Sequence, residues 1–401
     1  FGAGDEARVR RAVGMSYLLC VAVAVVVTAV AVPLTAPLLR LMQTPSAYYD
    51  YAYWYLLIIF CGIGATVFYN IVAGLLRAVG DSRTPLYFLV AAAVLNVGLD
   101  FAFIMGCGWH YCGAALATVL SQLLSGGACL AYALYRYPVL RPVRSDFGWD
   151  TRLAMGHFAV GLPMALQFSI TAIGCIVQQT ALNGLDAALP GAVTAYTAAS
   201  KIDNIANQVF VALGTALATY AGQNYGAGEF GRIRRGVLAG MVYVFAGSVI
   251  GFAFAVGLCE PLMKLFLNTD LSADVAGNYG AIIGYGRQFL LWQCSFYPFL
   301  GAIYVYRNTL QGIGRSAVTT FAGVTELAGR VLASLVFVRV WGFTGVCSSN
   351  PVAWVAAVIF LVATYAVVMR RRNNGELPRA RSRAHRRRLR RSCRIAVRRA
   401  S

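Results

Sequence analysis

The chain alternates long apolar runs with short polar breaks. A membrane-crossing helix needs about 20 consecutive apolar residues. Ten runs qualify, at approximately Ala12–Leu39, Ala52–Leu76, Thr84–Ile104, Gly113–Tyr135, His157–Leu182, Val193–Ala221, Gly236–Leu258, Tyr285–Leu310, Val318–Val338 and Gly345–Met369. None carries the alternating pattern of a membrane-spanning barrel strand. The pattern predicts an all-α integral membrane fold in which each helix satisfies its own backbone hydrogen bonds within the bilayer.

The polar breaks repeat themselves. "FGAGDEARVRRAV" (Phe1–Val13) returns 224 positions later as "YGAGEFGRIRRGV" (Tyr225–Val237), with seven of thirteen positions identical. "LLRAVGDSRTP" (Leu75–Pro85) has a fainter partner in "TLQGIGRSAVT" (Thr309–Thr319), at an offset of 234, and "CGWHYCGAA" (Cys107–Ala115) one in "RVWGFTGVC" (Arg339–Cys347), at 232. Chance similarity between apolar helices does not account for polar loop phrases recurring in order. The expectation is two like-oriented helical lobes, related about the membrane normal, with a path between them.

The second half begins near His157, two spans before its copy of the opening phrase. Subtracting the offset of 224 places the matching start of the first half near position −67. With no Met at position 1, the sequence is expected to be a piece of a twelve-helix protein, lacking helices one and two. The expected organisation is an N-lobe at 1–136 with four of six helices, a cytoplasmic linker at 137–156, a six-helix C-lobe at 157–370 and a basic low-complexity tail at 371–401.

Charge sets orientation. Assigning breaks alternately to the two faces gives seventeen Arg on the face holding Phe1, Arg307 among them, and four Lys or Arg on the other. The positive-inside rule places the first face in the cytoplasm. Composition agrees, since 59% of residues are hydrophobic and only 12% charged, too few charges for a soluble exterior. Of the net charge of +19, +13 lies in Arg370–Ser401, which carries fourteen Arg and one acid, Glu376. Such a tail suits anionic lipid or is simply disordered. Nucleic acid is the weaker reading and is not expected as a partner, because no folded soluble domain accompanies the tail.

"LLRAVGDSRTP", then "LNVGLDFAFI" (Leu95–Ile104), "GLPMALQ" (Gly161–Gln167) and "ALATYAGQNYGAG" (Ala216–Gly228), resemble in order and spacing the multidrug and toxic compound extrusion family. The resemblance covers Phe1 to Met369 and looks bacterial. It implies a multi-pass protein of the bacterial plasma membrane, a secondary antiporter with two six-helix lobes around a cleft. Its expected cargo is organic, often cationic, small molecules, exported in exchange for H⁺ or Na⁺ by a monomer with no other cofactor. The alternative is a lipid-linked oligosaccharide flippase of the same superfamily. That function calls for a more cationic cavity than the deep residues Lys201 and Arg330 supply.

Three acids lie within spans: Asp100, Asp203 and Glu326. Intramembrane acids are costly and tend to be functional. Asp100 follows Asn96 by one turn, on one helix face, and a buried carboxylate beside an amide suits exchange of H⁺ and Na⁺. The competing reading is that both only tie helices together. The family's N-lobe cation site matches Asn70, Asn96, Asp100 and Thr118 here. The resemblance also draws an Asp from helix one, which this sequence does not contain. Glu326 and Arg330, also one turn apart, are expected to neutralise each other or to line the C-lobe cavity. Where some relatives carry Glu, Thr171 stands. Gln167, Gln178 and Gln208 are cleft candidates that could equally pair with neighbouring helices. Asp203 is expected to pair with nearby Lys201, the favoured reading, or to form part of an exposed cleft wall.

Metal chemistry and enzymatic catalysis find little support. Cys107, Cys112 and His110 in "CGWHYC" make a poor ligand set, and a disulfide between the two Cys is allowed but not required. The sequence has three His in all, and no paired-carboxylate or activated-nucleophile constellation.

Overall fold

The computed structural model describes residues 1–41, 46–185, 189–267 and 278–373. The expected basic tail falls outside the described residues from position 374 onward. Throughout the described residues the regular structure is helical. Eight helices are long and apolar enough to cross a membrane, or ten spans if each of two bent pairs counts as one.

In the first part, α1 is Glu6–Leu41, α2 Ser46–Cys61, α3 Ile63–Ala78, α4 Arg83–Asp100 and α5 His110–Arg136. Asp5 caps α1 by accepting the Arg8 N–H at 3.1 Å, which satisfies one of the open amides of the first turn. Asp81 does the same for α4, accepting from the Thr84 N–H at 3.0 Å and the Thr84 hydroxyl at 2.7 Å. α4 runs on into a π-helical segment, Phe101–Gly106. Two 3₁₀ turns, Pro138–Leu140 and Arg144–Phe147, follow α5.

In the second part, α6 is Thr151–Asn183, α7 Ala192–Gly226, α8 Phe230–Gly257, α9 Cys259–Phe266, α10 Tyr279–Ser295, α11 Tyr297–Gly312, α12 Ser316–Leu332 and α13 Phe343–Asn373. α12 also ends in a π-helical segment, Ala333–Phe337, before a last turn, Val338–Trp341. The span expected at Ala52–Leu76 is α2 and α3, bent by 42° at Gly62, and the one at Tyr285–Leu310 is α10 and α11, bent by 46° at Phe296. Gly62 lets α5 pack closely at its bend, because a Cβ there would lie 2.1 Å from a methyl of Val119 on α5.

The chain divides into two compact units, Ala3–His157 and Phe158 onward. The first has a core of Val13, Val72, Leu76, Cys129, Ala133 and Leu140. The second packs a larger core on Phe210, Phe289 and Tyr297. Outward faces are apolar rather than charged, as with Val94 and Ile250, each 69% exposed. Such a surface is stable only against lipid. Residues 138–147 lie back on α1. Leu140 packs with Val13, and Arg10 Nε lies 3.7 Å from the Asp146 carboxylate. Gly14 permits that approach, since a Cβ there would be 2.5 Å from the Asp146 carbonyl oxygen.

Candidate functional site

Each helical unit carries a polar cluster, half-buried in the first and buried in the second. In the first, Asn96 of α4 donates from Nδ2 to Thr118 Oγ1 of α5 at 3.5 Å, and the Thr118 hydroxyl donates to the Ala114 carbonyl at 3.0 Å. Asp100 is half-buried one turn beyond Asn96, at the junction with the π-helical segment. Its Oδ1 is enclosed and has no hydrogen-bond partner. Enclosed carboxylate oxygens without partners are rare, because each forfeits its hydration. Asn70 stands apart on α3. Its side chain is exposed and donates to the Thr66 carbonyl of its own helix at 2.8 Å. The arrangement therefore joins Asn96 and Thr118 directly, sets Asp100 beside them on α4, and gives Asn70 no bond to any of the three.

The second cluster is larger and more charged. Glu326 of α12 and Arg307 of α11 are paired and are 4% and 8% exposed. This corrects the expected Glu326–Arg330 pair. The i, i+4 spacing permits that contact, but a buried Arg307 on the next helix draws the carboxylate across. Arg307 is correspondingly no cytoplasmic loop charge. Arg330 turns the other way, donating from Nε to Asn350 Oδ1 of α13 at 3.1 Å and from a terminal nitrogen to the Thr171 carbonyl of α6 at 3.2 Å. Asn350 passes the chain on to Gln293 Oε1 at 3.3 Å. Arg330 is 6% exposed and has no acid partner among the described residues.

The remaining candidates are spread through the second unit. Gln167 is buried and accepts from Gln311 at 3.2 Å, while Gln178 is buried and donates to the Val346 carbonyl at 3.3 Å. The Thr171 hydroxyl donates to the Gln167 carbonyl at 3.0 Å. Gln208 is exposed. Asp203 does not pair with Lys201. It accepts from the Tyr297 hydroxyl at 3.0 Å, and Lys201 lies 5.4 Å from the Phe266 ring centroid. Cys107 and Cys112 are both free.

The repeat offsets give these clusters a common plan. Asn96 plus 234 is Arg330, and Thr118 plus 232 is Asn350, so the Asn96–Thr118 bridge of α4 and α5 recurs as Arg330–Asn350 between α12 and α13. Asp100 plus 234 is Ser334, whose Oγ is likewise enclosed without a partner. The ion pair has no counterpart in the first unit. Arg307 and Glu326 correspond to Ala73 and Ala92, both buried. Sequence reasoning missed the pair because Arg307 sits near the end of an apolar run and reads as an interfacial charge. The signal available was that its counterpart, Ala73, is apolar.

The family model described as MatE matches residues 1–102 and 163–333. A probable multidrug resistance protein of Bacillus subtilis, YpnP, is 30% identical over 70% of this chain and 59% of its own length. A second from that organism, YoeA, is 24% identical over 93% of this chain and 80% of its own length. An FAD transporter of Shewanella oneidensis is 25% identical over 67% of this chain and 56% of its own. The chain thus spans less than two thirds of the length of YpnP and of the FAD transporter. Among solved structures, a MOP superfamily transporter from Pyrococcus furiosus superposes with a TM-score of 0.83 at 21% identity, covering 94% of this chain and 82% of that one. An outward-facing multidrug resistance MATE family transporter gives 0.81 at 22% identity, covering 93% and 81%. The fold is that of these transporters.

Proposed function

The chain belongs to the MatE family, and on that premise we propose that it is part or all of a secondary active exporter of organic, mainly cationic, small molecules. It works by alternating access in the bacterial plasma membrane, as a monomer, in exchange for H⁺ or Na⁺. Asp100 is the coupling group, Asn96 and Thr118 are its neighbours in the site, and Asn70 is its outlying fourth member. Gln167, Thr171, Gln178, Gln208, Glu326 and Arg330 belong to the C-lobe side of the cleft.

The observation that carries this reading is the enclosed, unpartnered Oδ1 of Asp100. An oxygen in that position gains from any cation that reaches it, because it has given up its hydration without a hydrogen bond in return. A proton on Oδ1 removes the charge. A sodium ion instead asks for several oxygens; Asn96, one turn away on the same helix, and Thr118, bonded to it from α5, are the oxygen-bearing neighbours. Glu326 is the weaker candidate because Arg307 already neutralises it. Taking up a proton there would strand a buried guanidinium.

A second reading concerns the cargo. Arg330 is a buried cation without an acid partner among the described residues, and a relative in the family is an FAD transporter. Both favour an anionic cargo and keep the flippase alternative in view. Efflux from everted vesicles separates the readings. Ethidium export driven by a pH or sodium gradient supports the first. Export of a flavin nucleotide with no ethidium export would replace it with the second, and no gradient dependence for either would overturn antiport.

A further inference from the structure

A cavity of about 500 Å³ opens between α8, α11 and α13, lined by Arg234, Arg235, Leu238, Met241, Tyr306 and Tyr365. The two arginines are exposed and make no ion pair with any described residue. Tyr306 and Tyr365 meet edge to face, with ring centroids 5.3 Å apart. Leu238 is 68% exposed on the apolar outward side of α8. One end of the cavity is therefore cationic and hydroxyl-bearing, and its walls are aliphatic and aromatic.

The internal repeat shows what such a cradle holds. At the offset of 224, Arg234, Val237, Leu238 and Met241 correspond to Arg10, Val13, Gly14 and Tyr17 of α1. There the cradle is filled by the chain itself. The Asp146 carboxylate sits 3.7 Å from Arg10, and Leu140 packs on Val13 with Tyr17 alongside. The filler supplies one negative charge and one apolar body. In the second unit Leu238 replaces Gly14, so a backbone cannot lie as close to the helix as residue 146 does. No described segment fills the space. The residues after α13 carry eleven Arg against one acid, the wrong sign for a site that already holds two arginines.

We propose that this cavity is a binding site for an acidic phospholipid, its phosphate on Arg234 and Arg235 and the tyrosine hydroxyls, its acyl chain along Leu238 and Met241. Basic pockets between membrane helices on the cytoplasmic side are suited to such headgroups. By the positive-inside rule Arg234 and Arg235 lie on that side.

The test is native mass spectrometry of the delipidated full chain titrated with phosphatidylglycerol or phosphatidylcholine. The wild type should bind one phosphatidylglycerol in preference to phosphatidylcholine. R234Q/R235Q should weaken that first event by about 30-fold, or about fivefold per arginine, with phosphatidylcholine unaffected. Met241→Trp, which fills the cavity and keeps its charge, should weaken it as well. R232Q/R315Q, which removes two exposed arginines of the same unit outside the cavity, should leave it unchanged. Equal weakening in that control, no preference between the lipids, or full displacement by inorganic phosphate would overturn the proposal. So would tighter lipid binding after removal of residues 374–401, because it would make the tail the occupant.

Discussion

Breaking the Arg307–Glu326 pair should be far more damaging than removing it. The two residues are 8% and 4% exposed, and Arg307 Nε already lacks a partner, so neither charge has water to fall back on. Arg307→Met alone leaves a buried carboxylate, and Glu326→Leu alone leaves a buried guanidinium. Each should cost about 3–5 kcal/mol, the usual penalty for an orphaned buried charge. At 1.4 kcal/mol per tenfold, that is a factor of roughly 100 to 4,000 in the unfolding constant. The double variant replaces the pair with apolar volume and should return to within about 1 kcal/mol of wild type or exceed it. The first unit gives a structural precedent, since it carries Ala73 and Ala92 at the matching positions. Equilibrium unfolding in mixed micelles, followed by the fluorescence of Trp354, which is 5% exposed in the same unit, measures all three. Single variants that each cost less than about 1 kcal/mol and sum to the double would mean that the pair is solvated, and the reasoning would fail.

Three other outcomes follow from particular contacts. Burial pushes the Asp81 carboxyl up, but hydrogen bonds from the Thr84 hydroxyl and N–H, the Tyr137 hydroxyl and the Arg83 N–H outweigh it and hold it below its ordinary value. Its contribution is therefore full above the unfolded carboxylate range, about 3.9, and is lost as pH falls through the lower folded value. Asp81→Asn should flatten the acid limb of a thermal-stability profile, and an unchanged limb would remove Asp81 as its source. Gly14→Ala puts a Cβ 2.5 Å from the Asp146 carbonyl, so tryptic cleavage after Arg144 should quicken several-fold; an unaltered rate would mean the 138–147 segment is not held by α1. If the two lobes are like-oriented, single cysteines at Asp5 and Glu229 in a cysteine-free background will label from the cytoplasmic face only, whereas labelling from opposite faces would end the repeat interpretation.

The membrane helices were legible because apolar runs must satisfy their own backbone in lipid. Their bends were not. A hydropathy pattern averages over a single residue, and it does not register how near Val119 comes to Gly62 at the break. Helix ends were also short in the sequence, as at α1, which begins at Glu6 rather than Ala12, because capped polar turns extend beyond any apolar run. The candidate site was partly legible. Asn96 and Asp100 share a face by spacing alone, but the bond to Thr118 depends on how α4 packs against α5. Asn70 lies on a different helix, where spacing says nothing of its neighbours, and its amide bonds to its own helix. Glu326 and Arg330 show the limit of spacing rules, since an i, i+4 interval states which groups can meet and not which competitor lies across the interface.

The most direct test is gradient-driven efflux by Asp100→Asn in proteoliposomes, beside the wild type and Glu326→Gln. Asparagine keeps the size and polarity of the side chain but can neither take up a proton nor offer a charge to sodium. If Asp100 is the coupling group, the variant should reach the membrane folded, as judged by its elution and melting profile. It should still bind substrate, yet show no acceleration of efflux when a pH or sodium gradient is imposed. Wild-type acceleration in Asp100→Asn would contradict the account, above all if Glu326→Gln, corrected for its stability, had lost it.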